Sequence, residues 1–141
     1  MDKIKKRINI YNSVILIILG ICTIISCRRI PSHEGIYGVW KGELQGMELL
    51  FQFEIDQTCV LSFRNKASDS VETINGNFKM DFSKKPITLS VKNIPGLNHP
   101  LHTIVEFEGI NLIKLANFSP RWKIRPISFD PNKSMNLKRV K

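Results

Sequence analysis

Met47-Glu48-Leu49-Leu50-Phe51-Gln52-Phe53-Glu54-Ile55, then Asp56-Gln57-Thr58, then Cys59-Val60-Leu61-Ser62-Phe63, is the stretch that decides the fold. Apolar residues occupy Met47, Leu49, Phe51, Phe53 and Ile55, and the same spacing resumes at Cys59, Leu61 and Phe63. Successive side chains of an extended chain point to opposite faces, so a period of two marks strands buried on one side. The polar turn between the two runs predicts an antiparallel hairpin.

Working outward, the alternation recurs at Phe78, Met80 and Phe82 and again at Ile87, Leu89 and Val91, with Lys84-Lys85-Pro86 as the corner between them. A further hairpin fits Thr103 to Phe107 and Ile110 to Leu115, joined at Glu108-Gly109, where glycine accepts the positive φ of a tight turn. Strands near Tyr37 to Glu43, Val71 to Asn75 and Ile124 to Phe129 complete a set of about eight. Val71 to Phe82 reads as one long bent strand or as two around Asn75-Gly76-Asn77. No segment beyond the N-terminal leader has an amphipathic helical pattern. An all-β antiparallel meander of this size closes most economically into a small barrel, which removes exposed sheet edges.

Ahead of this domain, Lys3, Lys5, Lys6 and Arg7 precede an apolar run from Val14 to Ile25, and Ile24-Ile25-Ser26-Cys27 ends it. A spanning helix needs about 20 apolar residues, whereas this run has the length of a signal-peptide core. The segment resembles a bacterial lipoprotein signal, with aliphatic Ile24 three before the cysteine and small Ser26 directly before it. Cys22 follows bulky Ile21 and lacks that context. The resemblance implies removal of residues 1–26, lipidation of Cys27, and a tether over 27–35. Arg28, rather than Asp, follows the cysteine, which implies sorting to the outer membrane where the host has two membranes. Each buried acyl methylene contributes about 0.8 kcal/mol, so several chains make a stable anchor to the cell envelope.

The whole chain carries a formal +9. Residues 27–141 keep 17 of 21 basic and 11 of 12 acidic residues, a net +6, and the distribution is uneven. From Lys41 to Ile113 the net is −2, while from Lys114 to Lys141 eight basic residues face only Asp130. The domain is therefore expected over 36–130, with 131–141 as a basic, frayed tail. An anionic lipid, an anionic polymer or an envelope protein suits that basic end; nucleic acid does not, because an exported chain rarely meets it and no aromatic-rich basic platform is present.

Few residues suggest chemistry. With Cys22 removed and Cys27 lipidated, Cys59 is the only free thiol, and its place in the Leu61/Phe63 alternation predicts a small buried hydrophobe. His99 and His102 lie three apart, on opposite strand faces and without nearby acidic or cysteine partners, so no metal site is expected. Glu106 and Glu108 share a strand face, the pattern of a solvated edge. No nucleophile elbow, zinc-protease motif or phosphate-binding glycine loop occurs, so neither a catalytic residue nor a cofactor is assigned. In Phe118-Ser119-Pro120-Arg121-Trp122-Lys123, aromatics stand among cations. Arg121, Trp122 and Lys123 are thus candidates for surface contact, with capping of the barrel end by Phe118 and Trp122 as the alternative.

Gly38-Val39-Trp40 resembles the Gly-x-Trp that opens the first strand of lipocalin-like barrels. Arg125-Pro126-Ile127-Ser128-Phe129 is similar to the closing Arg-Pro-x-x-Phe of a family of uncharacterised small bacterial lipocalin-like domains first grouped from planctomycete proteins. Asp81-x-x-x-Lys85-Pro86 and Glu106-x-x-Gly109 follow the same order, so the resemblance covers most of Gly38 to Phe129. Thr103 and Ile110 depart from the glycine and the polar residue usual there. The resemblance implies a lipocalin-like barrel of about eight strands, closed where Gly38 and Trp40 meet Arg125 stacked over the indole, and it implies no known activity. Six phenylalanines, at 51, 53, 63, 78, 82 and 107, are expected to point inward and fill so small an interior. The expected role is a non-catalytic, membrane-anchored binding or structural module of the envelope. The alternative is a carrier of a small hydrophobic ligand inside the barrel.

Overall fold

A computed structural model describes residues 32–140 of the chain. The leader, Cys27 and Arg28 lie outside the described residues. Eight strands follow one another: β1 Gly38–Leu44, β2 Met47–Phe53, β3 Thr58–Asn65, β4 Val71–Asp81, β5 Ile87–Lys92, β6 Leu101–Phe107, β7 Leu112–Leu115 and β8 Met135–Arg139. Each pairs antiparallel with its neighbours, and β8 returns to β1 to close the barrel. The chain is all-β, with the architecture of a small lipocalin-like barrel; its only helical pieces among the described residues are two short 3-10 turns.

Local chemistry sets the corners. Gln45 and Gly46 both take positive φ between β1 and β2, the two-residue geometry whose twist matches that of the strands it joins. Between β2 and β3, the Asp56 carboxylate accepts from the Thr58 backbone N–H at 2.9 Å and from its hydroxyl at 2.6 Å. Gln57 beside it takes φ 69°. β4 is one strand of 11 residues that continues unbroken through Asn75-Gly76-Asn77. A Cβ at Gly76 would stand 2.6 Å from the Lys92 carbonyl oxygen, so the close approach of β5 requires glycine there.

The interior is occupied by side chains. Trp40, Leu49, Phe51, Phe53, Leu61, Leu89, Val91, Ile113, Leu115 and Leu137 are fully buried, each contributing on the order of 1.5–3 kcal/mol by leaving water. Ring contacts bridge strands that are not neighbours: Phe53 of β2 meets Phe78 of β4 with centroids 5.0 Å apart, and Phe51 of β2 meets Phe118, beyond β7, at 6.4 Å. Phe63, Phe82 and Phe107 are partly buried against the same cluster, so all six inward phenylalanines join the core.

The eighth strand lies elsewhere than the sequence reading placed it. Trp122–Ile124 forms a 3-10 turn, irregular chain continues to Ser134, and Met135–Arg139 closes the barrel from within the region expected to be a frayed tail. Burial explains the choice. Met135 and Leu137 point inward, whereas Ile124 and Ile127 are exposed and Pro126 lacks the N–H that a ladder needs. The folded unit therefore extends through Arg139.

Candidate functional site

The end of the barrel next to the start of the described chain is sealed around Trp40. Its indole N–H donates to the Ile36 carbonyl at 2.7 Å, held by a backbone that has just left the His33–Gly35 turn. The expected cation over this indole was Arg125; the cation found there is Arg139, with its guanidinium carbon 4.2 Å from the ring centroid. Arg139 donates to the carbonyls of Tyr37, of Gly35 at 2.8 Å and of Ile110 at 3.1 Å. It thus joins both ends of the domain. Gly38 has φ 116°, and a Cβ there would stand 3.0 Å from an Arg139 nitrogen, which explains glycine at the start of β1. The signal missed in the sequence is Met135-x-Leu137-x-Arg139, a short alternation ending in arginine inside an otherwise basic run.

Arg125 makes its own pair at the opposite end. Its guanidinium carbon lies 3.8 Å from the Trp122 centroid, and it donates to the Trp122 carbonyl at 3.0 Å. The same indole meets His102, edge-on at 5.2 Å. His102 is buried on the outer face of β6 and shares a 2.9 Å hydrogen bond with the Ser90 hydroxyl. Burial, together with the Arg125 and Lys92 charges, pushes its pKa below the ordinary histidine value. Beyond β7 the chain keeps alongside β6: Ala116 N–H donates to Ile104, and Ser119 and His102 exchange backbone hydrogen bonds at 2.8 Å.

The two readings of Phe118 and Trp122 separate here. Phe118 packs against the core beside Phe51 and caps the barrel, while Trp122 keeps 43% of its surface exposed. Ile124 and Ile127 are exposed to 64% and 76%, and Arg121 and Lys123 are exposed between them. Trp122, Ile124, Ile127, Arg121, Lys123 and Arg125 therefore form one apolar and cationic knuckle, of which the sequence reading had singled out the first half.

The remaining candidates sort by environment. Cys59 is buried, and desolvation pushes its thiol up to about 11, so it behaves as a small hydrophobe. His99 is exposed and His102 turns to Ser90; among the described residues no group of three or more metal-ligating side chains comes together. Glu106 and Glu108 are both exposed. A shallow hollow of about 290 Å³ lies on the outer face of β1 to β4, lined by Lys41, Glu48, Leu50, Ser62, Arg64 and Val71. Its charges are matched locally: Lys41 of β1 bonds Glu48 of β2, and Arg64 of β3 bonds Asp69 of the β3–β4 turn at 2.6 Å. The Lys41 hydrogen bond and charge, helped by Arg64, hold the Glu48 carboxyl below the usual carboxylate range.

Compared with protein-family models, curated proteins and solved structures, the chain matches none, so the geometry of the barrel and its knuckle is what bears on function.

Proposed function

We propose that this chain is an exported lipoprotein of the cell envelope, anchored through Cys27, whose barrel is a non-catalytic binding or structural module. The observation that carries this reading is the filled interior. Rings from β2, β4 and the segment after β7 meet across the barrel, and eight-stranded barrels are just wide enough for side chains to fill them. Recognition then falls to the outside, where the Trp122 knuckle exposes apolar surface. The described chain begins at the Trp40 end, next to the position from which a tether to Cys27 would leave. The envelope reading itself rests on the leader and its cysteine.

The test is the native mass of full-length protein gently extracted from its own membrane. A mass that starts at Cys27 and includes acyl chains is expected. An unprocessed, lipid-free Met1 form overturns the anchor, and a stoichiometric small apolar molecule that stays bound overturns the filled barrel in favour of a carrier.

A further inference from the structure

Resting on the anchored reading above, we propose that the Trp122 knuckle is a lipid-contact site for the anionic surface of the membrane in which the chain is itself held. Three exposed apolar tips, Trp122, Ile124 and Ile127, project from six consecutive residues, and Arg121, Lys123 and Arg125 interleave with them. Among the described residues, neither Arg121 nor Lys123 enters an ion pair. The next acid along the chain, Asp130, stands 3.9 Å from Lys133. The contrast with the β1 to β4 face is direct: there the cations are already neutralised, and here, among the described residues, they are left for something outside.

That something is better matched by a bilayer than by a protein. A stable protein interface covers roughly 800 Å² on each partner, more than a six-residue convex knuckle offers. A headgroup region accepts an indole and a few aliphatic tips at its boundary while anionic lipids take up the cations. The acyl chains on Cys27 already make a stable anchor, so the apolar and basic patch sets how the barrel rests on the membrane rather than whether it stays attached. Arg125 is preset for this role, since its stacking on Trp122 holds charge and ring together.

The geometry permits contact with the anchoring membrane. The knuckle leaves from the end opposite Trp40, but its segment folds along the outer flank of the barrel, where the Phe129 ring lies 5.4 Å from the Lys114 ammonium on β7. With Trp122 against His102 on β6 and Phe129 beside Lys114 on β7, the knuckle lies on the flank that these two strands form.

The experiment uses the processed protein reconstituted into phosphatidylcholine vesicles with or without phosphatidylglycerol, both carrying brominated acyl chains that quench tryptophan. Trp40 is fully buried, so quenching lost in Trp122→Phe reports the knuckle. Quenching is expected to rise with phosphatidylglycerol, and the ratio of contacting to free molecules to fall roughly fivefold for each cation removed in Arg121→Gln and Lys123→Gln. Ile124→Ser with Ile127→Ser is expected to abolish quenching without changing the urea midpoint. Equal quenching with and without phosphatidylglycerol overturns the proposal. So does quenching only by phosphatidylglycerol vesicles added from outside. A third overturning result is an unquenched Trp122 combined with a photo-crosslinker at position 124 that captures one defined envelope protein. Failure of the anchor is read separately, from a mass without acyl chains; phosphatidylglycerol vesicles added to that unacylated protein then test the knuckle alone.

Discussion

The molecule holds two arginine–tryptophan pairs of the same chemistry in opposite settings. Arg139 over Trp40 joins the last strand to the first, with the indole fully buried and three carbonyls from distant parts of the chain bonded to one guanidinium. Arg125 over Trp122 is a pairing of residues three apart, half in solvent, bonded among the described residues only to the Trp122 carbonyl. A cation over a ring contributes about 0.5–1 kcal/mol when exposed and about 2 or more when dry. What separates the pairs is therefore less the contact than the connections it makes: one fastens the barrel, and the other dresses a surface.

Trp40→Ala should break the comparison most severely. It leaves a cavity at the sealed end and is expected to cost about 3–5 kcal/mol, read as a lowered urea midpoint. Arg139→Ala follows, at about 3 kcal/mol, because charge-assisted hydrogen bonds are lost together with the stack. Arg139→Lys should restore only part of this, since an ammonium lacks the planar fork that reaches several carbonyls at once. If Arg139→Ala unfolds no more readily than wild type, the fastening role is wrong.

Arg125→Ala sharpens the contrast from the other side. Its expected cost to stability is within about 1 kcal/mol, and calorimetry that finds it as damaging as Arg139→Ala would make the two pairs equivalent after all. The smallest effect concerns His102, under Trp122. Burial first, then Arg125 and Lys92, lower its pKa in the folded state, so the unfolded chain binds the proton more readily. The sign follows: its contribution is present above the unfolded value near 6.5 and is lost as pH falls through the lower folded value. Urea midpoints measured in this acid range should decline, and His102→Gln should flatten that decline. The acid-side loss from Glu48, Asp56 and Asp81, whose carboxyls all lie below their ordinary values, comes at lower pH and should persist in the variant.

Seven of the eight strands were placed from the sequence, and β2, β3, β5 and the end of β4 were legible as alternation because each has an inward face of several large apolar residues. The hairpin of β2 and β3 is the clearest case: Phe51, Phe53, Cys59 and Leu61 all stand on the buried face that their spacing predicted. β8 was hidden because only Met135 and Leu137 mark its inner face, among Lys133, Lys138 and Arg139 at the end of a basic run. Ile124 to Phe129 carried more apolar residues, and the closing strand was expected there. In the folded chain that stretch stays outside, where it forms much of the knuckle that the sequence reading had only begun to outline. Arg121, Trp122 and Lys123 were visible as a cluster, whereas Ile124, Ile127 and the stacking of Arg125 were not.

By itself, then, the sequence determined the strand periodicity, the antiparallel order and the inward phenylalanines, because these depend on neighbours two residues apart and on local turn preferences. Which segment closed the barrel, and which arginine came to lie over which tryptophan, was decided only by tertiary structure. Closure joins residues about 100 positions apart, as from Gly35 and Tyr37 to Arg139. The register that places Trp40 opposite Arg139 exists only once β1 and β8 are hydrogen-bonded side by side.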